Sequence, residues 1–442
     1  MSFAAGHSPS QPILTLPPEI LAEIFLHCLP KSPGPDPQNA PYSLCRVCRQ
    51  FRAVAVSTPR LWSSLNVEFN EKTADEMDDI CRIWISRARS LPLSLYLKDM
   101  NVRAPSPEAT LLPTILGLSK QWRKLQICGS YDDSYWNLFE GGSLDGKVPL
   151  LEELSISGFD AVILHDAPKL RTLALDACQA SLLVPWHQLT TLHADCLDIP
   201  SFLEILRDAI NLLHASFGFA VDETTALPVS ECRHATLQCL SLLFRDDEGA
   251  EERAIPMSLL DYLKIPTVND LTVAADPNQP GPVALSPLLS FLSQPTIRLH
   301  TLALSVPYHP TMMEDLIKCL KMVPLLTTFT FHCPNLTNIG ILVGELTGHV
   351  DFLPRLEHLR LEFLQDPPPR LTTSVVNMLC WRRTALGIAQ LQSFWLLHYR
   401  LRNANPSLFL DLLKRESEIQ RLEGEGMLLH VREKRNDEPS SF

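Results

Sequence analysis

The 442-residue sequence lacks long apolar runs and has no excess of basic residues. No window approaches 18 consecutive apolar residues, so we expect no membrane-spanning helix. Lysine and arginine number 38 against 50 aspartates and glutamates, which gives a formal charge of −12. That balance disfavours a surface that neutralises the phosphates of nucleic acids or of a lipid bilayer. We therefore predict neither a nucleic-acid partner nor a membrane partner.

The sequence motifs that carry catalysis or hold cofactors are also missing. There is no G-x-S-x-G nucleophile elbow, no G-x-x-x-x-G-K-[ST] loop and no H-E-x-x-H. Cys45 and Cys48 have C-x-x-C spacing, but no second pair accompanies them, and they fall within a helical pattern. We predict a non-catalytic chain that uses no metal and no cofactor.

Cysteine usage and the first residues indicate the compartment. The twelve cysteines are spread singly along the chain, unlike those of a small disulfide scaffold. The opening "MSFAAGHSPSQPIL" lacks the basic n-region and the apolar run of a signal peptide. These features predict an intracellular protein with reduced thiols, in the cytoplasm and/or the nucleus. The isolated basic run Trp381-Arg382-Arg383 is interpreted as solvated surface.

The N-terminal part has the pattern of three short helices. "LPPEILAEIFLHCLP", from Leu16, opens with prolines that suit a first helical turn, and its apolar residues recur with helical spacing. A second helix would carry an apolar stripe from Leu44 to Ala55, and Pro59 would open a third element. A unit of about fifty residues is small for independent stability. The apolar arc of its first helix is therefore either a core stripe or a docking surface.

The rest of the chain repeats one pattern: apolar, two others, apolar, one other, apolar. The clear copies are "LEELSI", "LRTLAL", "LTTLHA", "LQCLSL", "LHTLAL", "LTTFTF", "LEHLRL" and "LQSFWL", with looser copies at "WRKLQI", "LLHASF" and "VNDLTV". The copy that begins at Leu170 continues to Cys178 with the leucine-rich-repeat signature. Strand patterns that alternate with amphipathic stretches predict a solenoid, in which stacking buries a continuous core.

We therefore predict an α/β protein: a small three-helix unit followed by an irregular leucine-rich-repeat-like solenoid, with parallel strands on a concave face and helices on a convex face. The expected boundaries are a disordered arm at 1–12, the helical unit at 13–67, a connecting helix and first strand at 68–98, the solenoid at 99–403, a capping helix at 404–426 and a polar tail at 427–442.

In each repeat strand, the residues between the apolar positions should face the open side, where solenoids bind partners. These residues are Ser155, Ala174, His193, Ser241, Thr272, Ala303, Thr330, Arg360 and Trp395, with Asp176, Asp195, Ser305, His332 and Glu362 beside them. Interfaces favour aromatic and arginine side chains. We therefore predict that a substrate binds the C-terminal half of this face, through Thr330, His332, Arg360, Glu362 and Trp395. The alternative is plain solvated surface.

The N-terminal unit resembles an F-box, from Ile13 to Val67. The resemblance is carried by ordered positions in three elements: Leu16-Pro17-Pro18-Glu19-Ile20-Leu21, Ile24-Phe25, Leu29, Leu44, Val47-Cys48-Arg49, Phe51-Arg52, Val54-Ala55, Pro59 and Leu61-Trp62. A Pro-rich insertion follows Leu29, and Phe51 stands where a tryptophan is frequent. With irregular repeats after it, the chain is similar to the F-box proteins of mushroom-forming fungi.

The resemblance implies that the unit docks on a Skp-type adaptor, and through it on a cullin, while the repeats select a protein substrate. Ubiquitin transfer would then reside in partner subunits. Carried over position by position, the adaptor contacts would be Leu16, Pro17, Ile20, Leu21, Ile24, Phe25, Leu44, Val47, Cys48, Phe51, Leu61 and Trp62. Of these, Phe25, Phe51 and Trp62 would serve either the contact or the small core. The alternative function is a non-catalytic repeat scaffold that binds a Skp-type or other protein partner without promoting ubiquitination.

Overall fold

The computed structural model divides the chain into two compact units, unit 1 at Met1–Leu189 and unit 2 at Thr190–Phe442. It describes residues 12–69, 74–99, 115–128, 144, 146–157, 162–176, 182–220, 231–245, 257–275, 284–307, 312–332, 339–365, 368–400 and 407–435. Apart from residue 12, the predicted N-terminal arm lies outside the described residues. The predicted repeat region, 99–403, is divided between the two units.

Unit 1 begins with short helices and continues with parallel strands. Its helices are α1 (Pro18–His27), α2 (Tyr42–Val47), α3 (Arg49–Ser57) and α4 (Ala74–Ala88). Its strands are β1 (Ser64–Phe69), β2 (Leu93–Asp99), β3 (Trp122–Cys128), β4 (Glu153–Ser157), β5 (Val162–Ile163), β6 (Thr172–Asp176) and β7 (Leu182–Leu183). Strands β1, β2, β3, β4 and β6 pair side by side in parallel, and β5 pairs with β7.

Unit 2 alternates strands with helical returns. Its helices are α5 (Ile199–Asp208), α6 (Ser286–Leu292), α7 (Met312–Lys321), α8 (Ile339–Leu346), α9 (Leu371–Thr384), α10 (Leu408–Arg415) and α11 (Ser417–Gly424). Its strands are β8 (Thr191–Leu197), β9 (His214–Ala220), β10 (Cys232–Arg233), β11 (Cys239–Arg245), β12 (Leu263–Lys264), β13 (Asp270–Ala275), β14 (Thr301–Ser305), β15 (Thr328–His332), β16 (His358–Phe363), β17 (Ser393–Arg400) and β18 (Leu428–Arg435).

The long strands of unit 2 form a parallel sheet in the order β8, β9, β11, β13, β14, β15, β16, β17, β18. Parallel neighbours need a crossover connection, and helices α5 to α9 lie in the connections between β8 and β9 and between consecutive strands from β13 to β17. The coarse prediction of an α/β chain with a long parallel sheet is confirmed. The concave and convex sides of a solenoid stay predictions.

Helices pack on one face of the unit 2 sheet. Phe202 of α5 contacts Phe217 and Phe219 of β9, with ring centroids 4.6 and 5.3 Å away, and Phe409 of α10 lies 6.4 Å from Phe363 of β16. Successive side chains of a strand point to opposite faces, so the alternate residues lie on the other side of the sheet. We call that other side the ladder face; in β14 to β18 its central row is Ala303, Thr330, Arg360, Trp395 and His430.

The structure corrects three element predictions. The helix expected from Leu44 to Ala55 is broken at Cys48, whose backbone is extended (φ −159°, ψ 172°). The capping helix is two helices, α10 and α11, separated at Glu416. The polar tail is wrong over Leu428–Arg435, which forms β18 because Leu429 and Val431 continue the alternating pattern on the side of the helices. Residues 436–442 lie outside the described part.

The basic run at Trp381 is also not solvated surface. Arg382 is fully buried, and its guanidinium donates to the main-chain oxygens of Leu346 (2.9 Å), Phe352 (2.5 Å) and Leu353 (2.9 Å). Leu353 has a φ of 47°, a left-handed conformation that leucine adopts only at a cost of about 1–3 kcal/mol. Five fixed N–H donors suit arginine to such a turn. Burial lowers the pKa of Arg382 to about 10, so the side chain stays charged at neutral pH.

No helix in the described ranges combines the length and the apolar character needed to cross a membrane.

Candidate functional site

Helix α1 carries apolar side chains on two sides. Pro18 occupies its first turn, where the missing N–H costs no hydrogen bond, and Leu21 N donates to Pro17 O at 3.1 Å. Leu21 and Phe25 are 0% and 1% exposed, whereas Ile20 and Ile24 are 50% and 38% exposed. The latter two are one helical turn apart and therefore neighbours on the surface. One apolar stripe of α1 is packed and the other is open.

The break between α2 and α3 positions the second helical segment. At Cys48 the sulfur accepts the Phe51 N–H at 3.4 Å, as an N-cap does. The Arg52 Nε donates to Cys45 O at 2.8 Å and so satisfies a carbonyl near the end of α2. Both cysteines are half-buried free thiols, and burial raises the pKa of Cys45. The C-x-x-C spacing therefore produces a helix junction.

Aromatic side chains fill the interior beneath these helices. Phe25 and Phe51 lie 4.9 Å apart, and Trp62 meets Trp84 of α4 edge to face at 4.9 Å. The Trp62 indole donates to Ala55 O at 2.9 Å, which satisfies its buried N–H. Because Trp84 lies beyond residue 67, the core of the helical unit includes part of the predicted connecting helix.

The same unit leaves many apolar side chains in water. Fifteen large hydrophobic residues are exposed in the described part of the chain, and six of them lie between residues 13 and 68. Exposed apolar side chains are therefore concentrated in this short segment. They are Ile13, Leu14, Ile20, Ile24, Val47 and Val56. Val47 is the most exposed of them, at 63%. Gln50 Nε2 donates to Leu14 O at 3.1 Å and holds the segment before α1 against α3. An exposed apolar concentration of this kind marks an interaction surface.

The twelve residues predicted to contact an adaptor therefore divide by burial. The exposed ones are Pro17, Ile20, Ile24 and Val47; the half-buried ones are Leu16, Leu44 and Cys48; the buried ones are Leu21, Phe25, Phe51, Leu61 and Trp62. For all twelve, the adaptor contact stays a prediction. Ile13 and Leu14 were not among them, although the apolar pair directly before "TLPPE" was the available signal.

The predicted substrate-facing residues of unit 2 align across the sheet. The register places His193 opposite Ser216, then runs through Ser241, Thr272, Ala303, Thr330, Arg360, Trp395 and His430 on successive strands. In unit 1, Ser155 and Ala174 are likewise register partners. Asp176 is exposed in unit 1, and half-buried Asp195 of unit 2 lies against Gly218, where an added methyl group would overlap it.

The ladder face of unit 2 becomes aromatic and charged at its last strands. The Arg360 guanidinium lies 5.7 Å from the Trp395 ring, and the rings of Trp395 and His430 are 3.8 Å apart. Arg360 Nε also donates to Oε1 of Glu362, a carboxylate that is fully buried. The ion pair with Glu362 and the contact with Trp395 together orient the Arg360 side chain.

A buried polar row lies beside this pair. Ser305 Oγ is 3.3 Å from His332 Nδ1, and the His332 ring stacks at 5.6 Å on Tyr399. Burial, followed by the negative charge of Glu362, raises the pKa of Tyr399 to about 12, so its hydroxyl stays neutral. The predicted residues His332 and Glu362 are thus brought together with Tyr399, which the sequence reading missed. Ser305, His332, Glu362 and Tyr399 are each at least nine-tenths buried.

Other titratable groups have structural roles. His234 is buried, its Nδ1 accepts the Leu237 N–H at 3.2 Å and its Nε2 lies 3.0 Å from Ala209 O, so its neutral Nε2–H form satisfies both atoms. Burial lowers the pKa of His234. In the described ranges, no three His, Cys, Asp or Glu side chains come together as a metal site would require.

Comparison with known families decides what the N-terminal helices are. Residues 13–68 match the family model described as F-box-like. The chain carries an F-box-like domain. That domain comprises α1, α2, α3 and most of β1, and its exposed apolar side chains are those described above.

The other comparisons add little. No curated protein matches the chain. A crystal structure of a Bacteroides fragilis protein is similar over 74% of this chain and 82% of that one, with 10% identity and a TM-score of 0.29. A similarity that weak supports no conclusion about fold or function.

Proposed function

We propose that this protein is the substrate-recognition adaptor of a Skp–cullin–F-box ubiquitin ligase. The F-box-like domain would dock on a Skp-type adaptor, and the strand repeats would bind the substrate protein. The chain itself would be non-catalytic and would act in the cytoplasm and/or the nucleus. Ubiquitin transfer would take place on partner subunits joined through a cullin.

The observation that carries this proposal is the open stripe of α1 above a filled core. Phe25, Phe51 and Trp62 occupy the interior of the domain, whereas Ile20 and Ile24 are left 50% and 38% exposed. Burying apolar surface against a partner gains about 25 cal/mol for each Å² removed from water. A partner groove that covers this stripe and Val47 would remove three of the six exposed large apolar side chains of the domain from water.

The decisive experiment is co-purification of the full chain with a Skp-type adaptor. We expect Ile20→Glu with Ile24→Glu to weaken pairing at least about a hundredfold, because each change places a charge in an apolar contact. The matched control is Ile341→Glu with Met322→Glu, since these residues are 47% and 44% exposed in unit 2. If both double variants pair equally well with the adaptor, α1 is not the docking element.

A second measurement separates the adaptor from the scaffold. We expect a cullin in the complex recovered with the wild-type chain, and a client protein that accumulates when the chain is deleted. Recovery of the Skp-type adaptor without a cullin, and without an accumulating client, would favour the non-catalytic scaffold.

A further inference from the structure

Strand β18 presents an open edge. It pairs in parallel with β17 on one side, and no other strand in the described residues pairs with its other side. Leu428 N donates to Gln392 O at 2.9 Å, so the main-chain groups of Leu428 point toward β17. Because alternate residues of a strand direct these groups to opposite sides, Leu429, Val431 and Glu433 present theirs to the open edge. Such an edge is a template for an added strand.

From His430 to Lys434, the ionisable side chains of β18 differ in charge between the two faces of the sheet. The His430 ring contacts Trp395 on the ladder face. Arg432 and Lys434 are two and four residues further along the strand, so their side chains point to the same face. The Glu433 side chain points to the other side of the sheet, where the helices pack. Its Oε1 lies 3.4 Å from His398 Nδ1 and accepts the Ser407 N–H at 3.2 Å. Glu433 is therefore held on the helix side, and the ladder face of β18 carries Leu428, His430, Arg432 and Lys434. Its ionisable groups are one imidazole and two cations.

Arg432 and Lys434 are the two cations on the ladder face of β18. In the described part of the chain, neither Arg432 nor Lys434 forms an ion pair with a carboxylate, and Arg432 is exposed. The central row of the ladder face is uncharged at Ser241, Thr272 and Thr330 and changes character only at the last strands. In a chain of net charge −12, this is a local concentration of positive charge. An acidic segment would be attracted here and repelled by the chain as a whole.

We propose that the open edge of β18 binds an extended acidic segment of the substrate protein by strand addition. Aspartate or glutamate at alternate positions of that segment would lie beside His430, Arg432 and Lys434 on the ladder face. The intervening positions would face the side of Leu429 and Val431 and would be apolar. This inference rests on the proposed function only in calling the bound protein a substrate, and it names that substrate's class.

Charged residues on an edge strand also protect sheets against unwanted pairing. That explanation accounts for charge of either sign and needs no partner. Strand addition, by contrast, demands a fixed alternation in the partner and a particular set of main-chain hydrogen bonds. A binding experiment separates the two.

The test uses the full chain and fluorescein-labelled peptides, with binding followed by fluorescence anisotropy. The probe alternates glutamate with valine or threonine over about eight residues, and its control groups the same glutamates at one end. We expect the alternating peptide to bind at least tenfold more tightly than the control, and added salt to weaken it. Arg432→Glu with Lys434→Glu should lower the affinity at least tenfold. The control Arg298→Glu with Lys318→Glu, at two exposed sites of unit 2, should leave the affinity unchanged.

Two further variants test the main-chain hydrogen bonds. Val431→Pro removes an N–H that faces the open edge and leaves the bonds to β17 intact, while Val431→Ala keeps that N–H. We expect the proline variant alone to lose binding. Should Val431→Pro fail to fold, two N-methylated peptides replace it, one methylated at its odd residues and one at its even residues. Only one of these sets of N–H groups would face β18, so only one of the two peptides should lose binding.

Several results would overturn the inference. If the peptide with grouped glutamates binds as tightly as the alternating one, the attraction is only between net charges. If both N-methylated peptides lose binding equally, strand addition is excluded. Binding of only a phosphoserine peptide would indicate another substrate class. Pairing with the Skp-type adaptor is measured on the same protein preparations. If the chain pairs with the adaptor and does not bind the peptide, only this inference is wrong. If it binds the peptide and does not pair with the adaptor, the proposed function is wrong.

Discussion

The F-box-like domain and the last strands of unit 2 expose opposite kinds of chemistry. The domain leaves Ile20, Ile24 and Val47 in water and keeps its aromatic rings inside. Strands β16 to β18 bury Glu362, leave Trp395 half-buried and leave Arg432 exposed. Apolar contact is non-directional and scales with area, so it suits one constant partner. Oriented charges and hydrogen bonds discriminate between partners, so they suit recognition of a particular segment.

The interiors of the two regions also differ. Ring contacts pack both, as between Trp62 and Trp84 or between Phe202 and Phe217, but unit 2 adds a buried cation, Arg382, that donates to main-chain carbonyls. If the comparison is right, changes in one region should leave the other's partner unaffected.

The largest effect is expected for Arg382→Met, which keeps the length of the side chain and removes its donors. Three buried carbonyls would lose their partner, at a cost of about 3–5 kcal/mol of folding free energy in unit 2. Denaturant unfolding monitored by circular dichroism would measure it. Pairing with a Skp-type adaptor should persist.

Arg383→Met is the control for this prediction. Arg383 is half-buried and donates to Glu425 O at 2.9 Å and, weakly, to Leu391 O at 3.5 Å, so its loss should cost less. If the two variants lose the same free energy of unfolding, the buried hydrogen bonds of Arg382 contribute no more to stability than those of Arg383. Loss of adaptor pairing in the Arg382 variant would break the comparison between the regions.

A smaller effect is expected for Trp62→Phe, which tests the core of the F-box-like domain. The change removes the indole bond to Ala55 O and part of the contact with Trp84, and should cost about 1–3 kcal/mol. Thermal melting would measure the loss. At a temperature where the variant is folded, adaptor affinity should be close to that of the wild type, because Trp62 is 0% exposed. A large loss of affinity without a loss of stability would assign Trp62 to the contact instead.

The pH dependence of unit 2 should depend in part on His234. Burial lowers its pKa below the ordinary value of 6.5, so the folded state favours the neutral ring and the unfolded state binds a proton more readily. The stability that it contributes is present above about pH 6.5 and is lost as the pH falls through the lower folded-state pKa. Unfolding at pH 7.5 and 5.5 should show His234→Gln to be less acid-sensitive than the wild type by about 1 kcal/mol or less. Identical pH profiles would remove His234 from the explanation.

The smallest effect is expected at Cys48. Serine is a stronger N-cap than cysteine, so Cys48→Ser should stabilise the F-box-like domain by about 0.5 kcal/mol and Cys48→Ala should destabilise it slightly. Differential melting of the two variants would measure the cap. If the variants keep wild-type stability and differ only in adaptor affinity, Cys48 acts at the contact.

Much of the architecture was readable from the sequence. All eleven copies of the repeat pattern coincide with parallel strands, because each apolar triplet has to be buried. The turn of helix at Pro59–Trp62 was predicted as well. Strands β1 and β18 were missed, since "SLNVEF" lies inside the F-box pattern and "LLHVREKR" has the charge of a tail. Pairing with a neighbouring strand outweighed that local polarity.

The sequence by itself determined the apolar periodicity, the lack of catalytic motifs and the F-box-like order of residues in the N-terminal helices. Only the tertiary structure decided which of those apolar residues are buried, because helical spacing places Leu21 and Ile24 on overlapping stripes and packing chooses between them. It also decided that Arg382 is buried and that Arg432 is not. The physical reason is the same in each case: burial depends on contacts between distant parts of the chain, and a local pattern does not contain them.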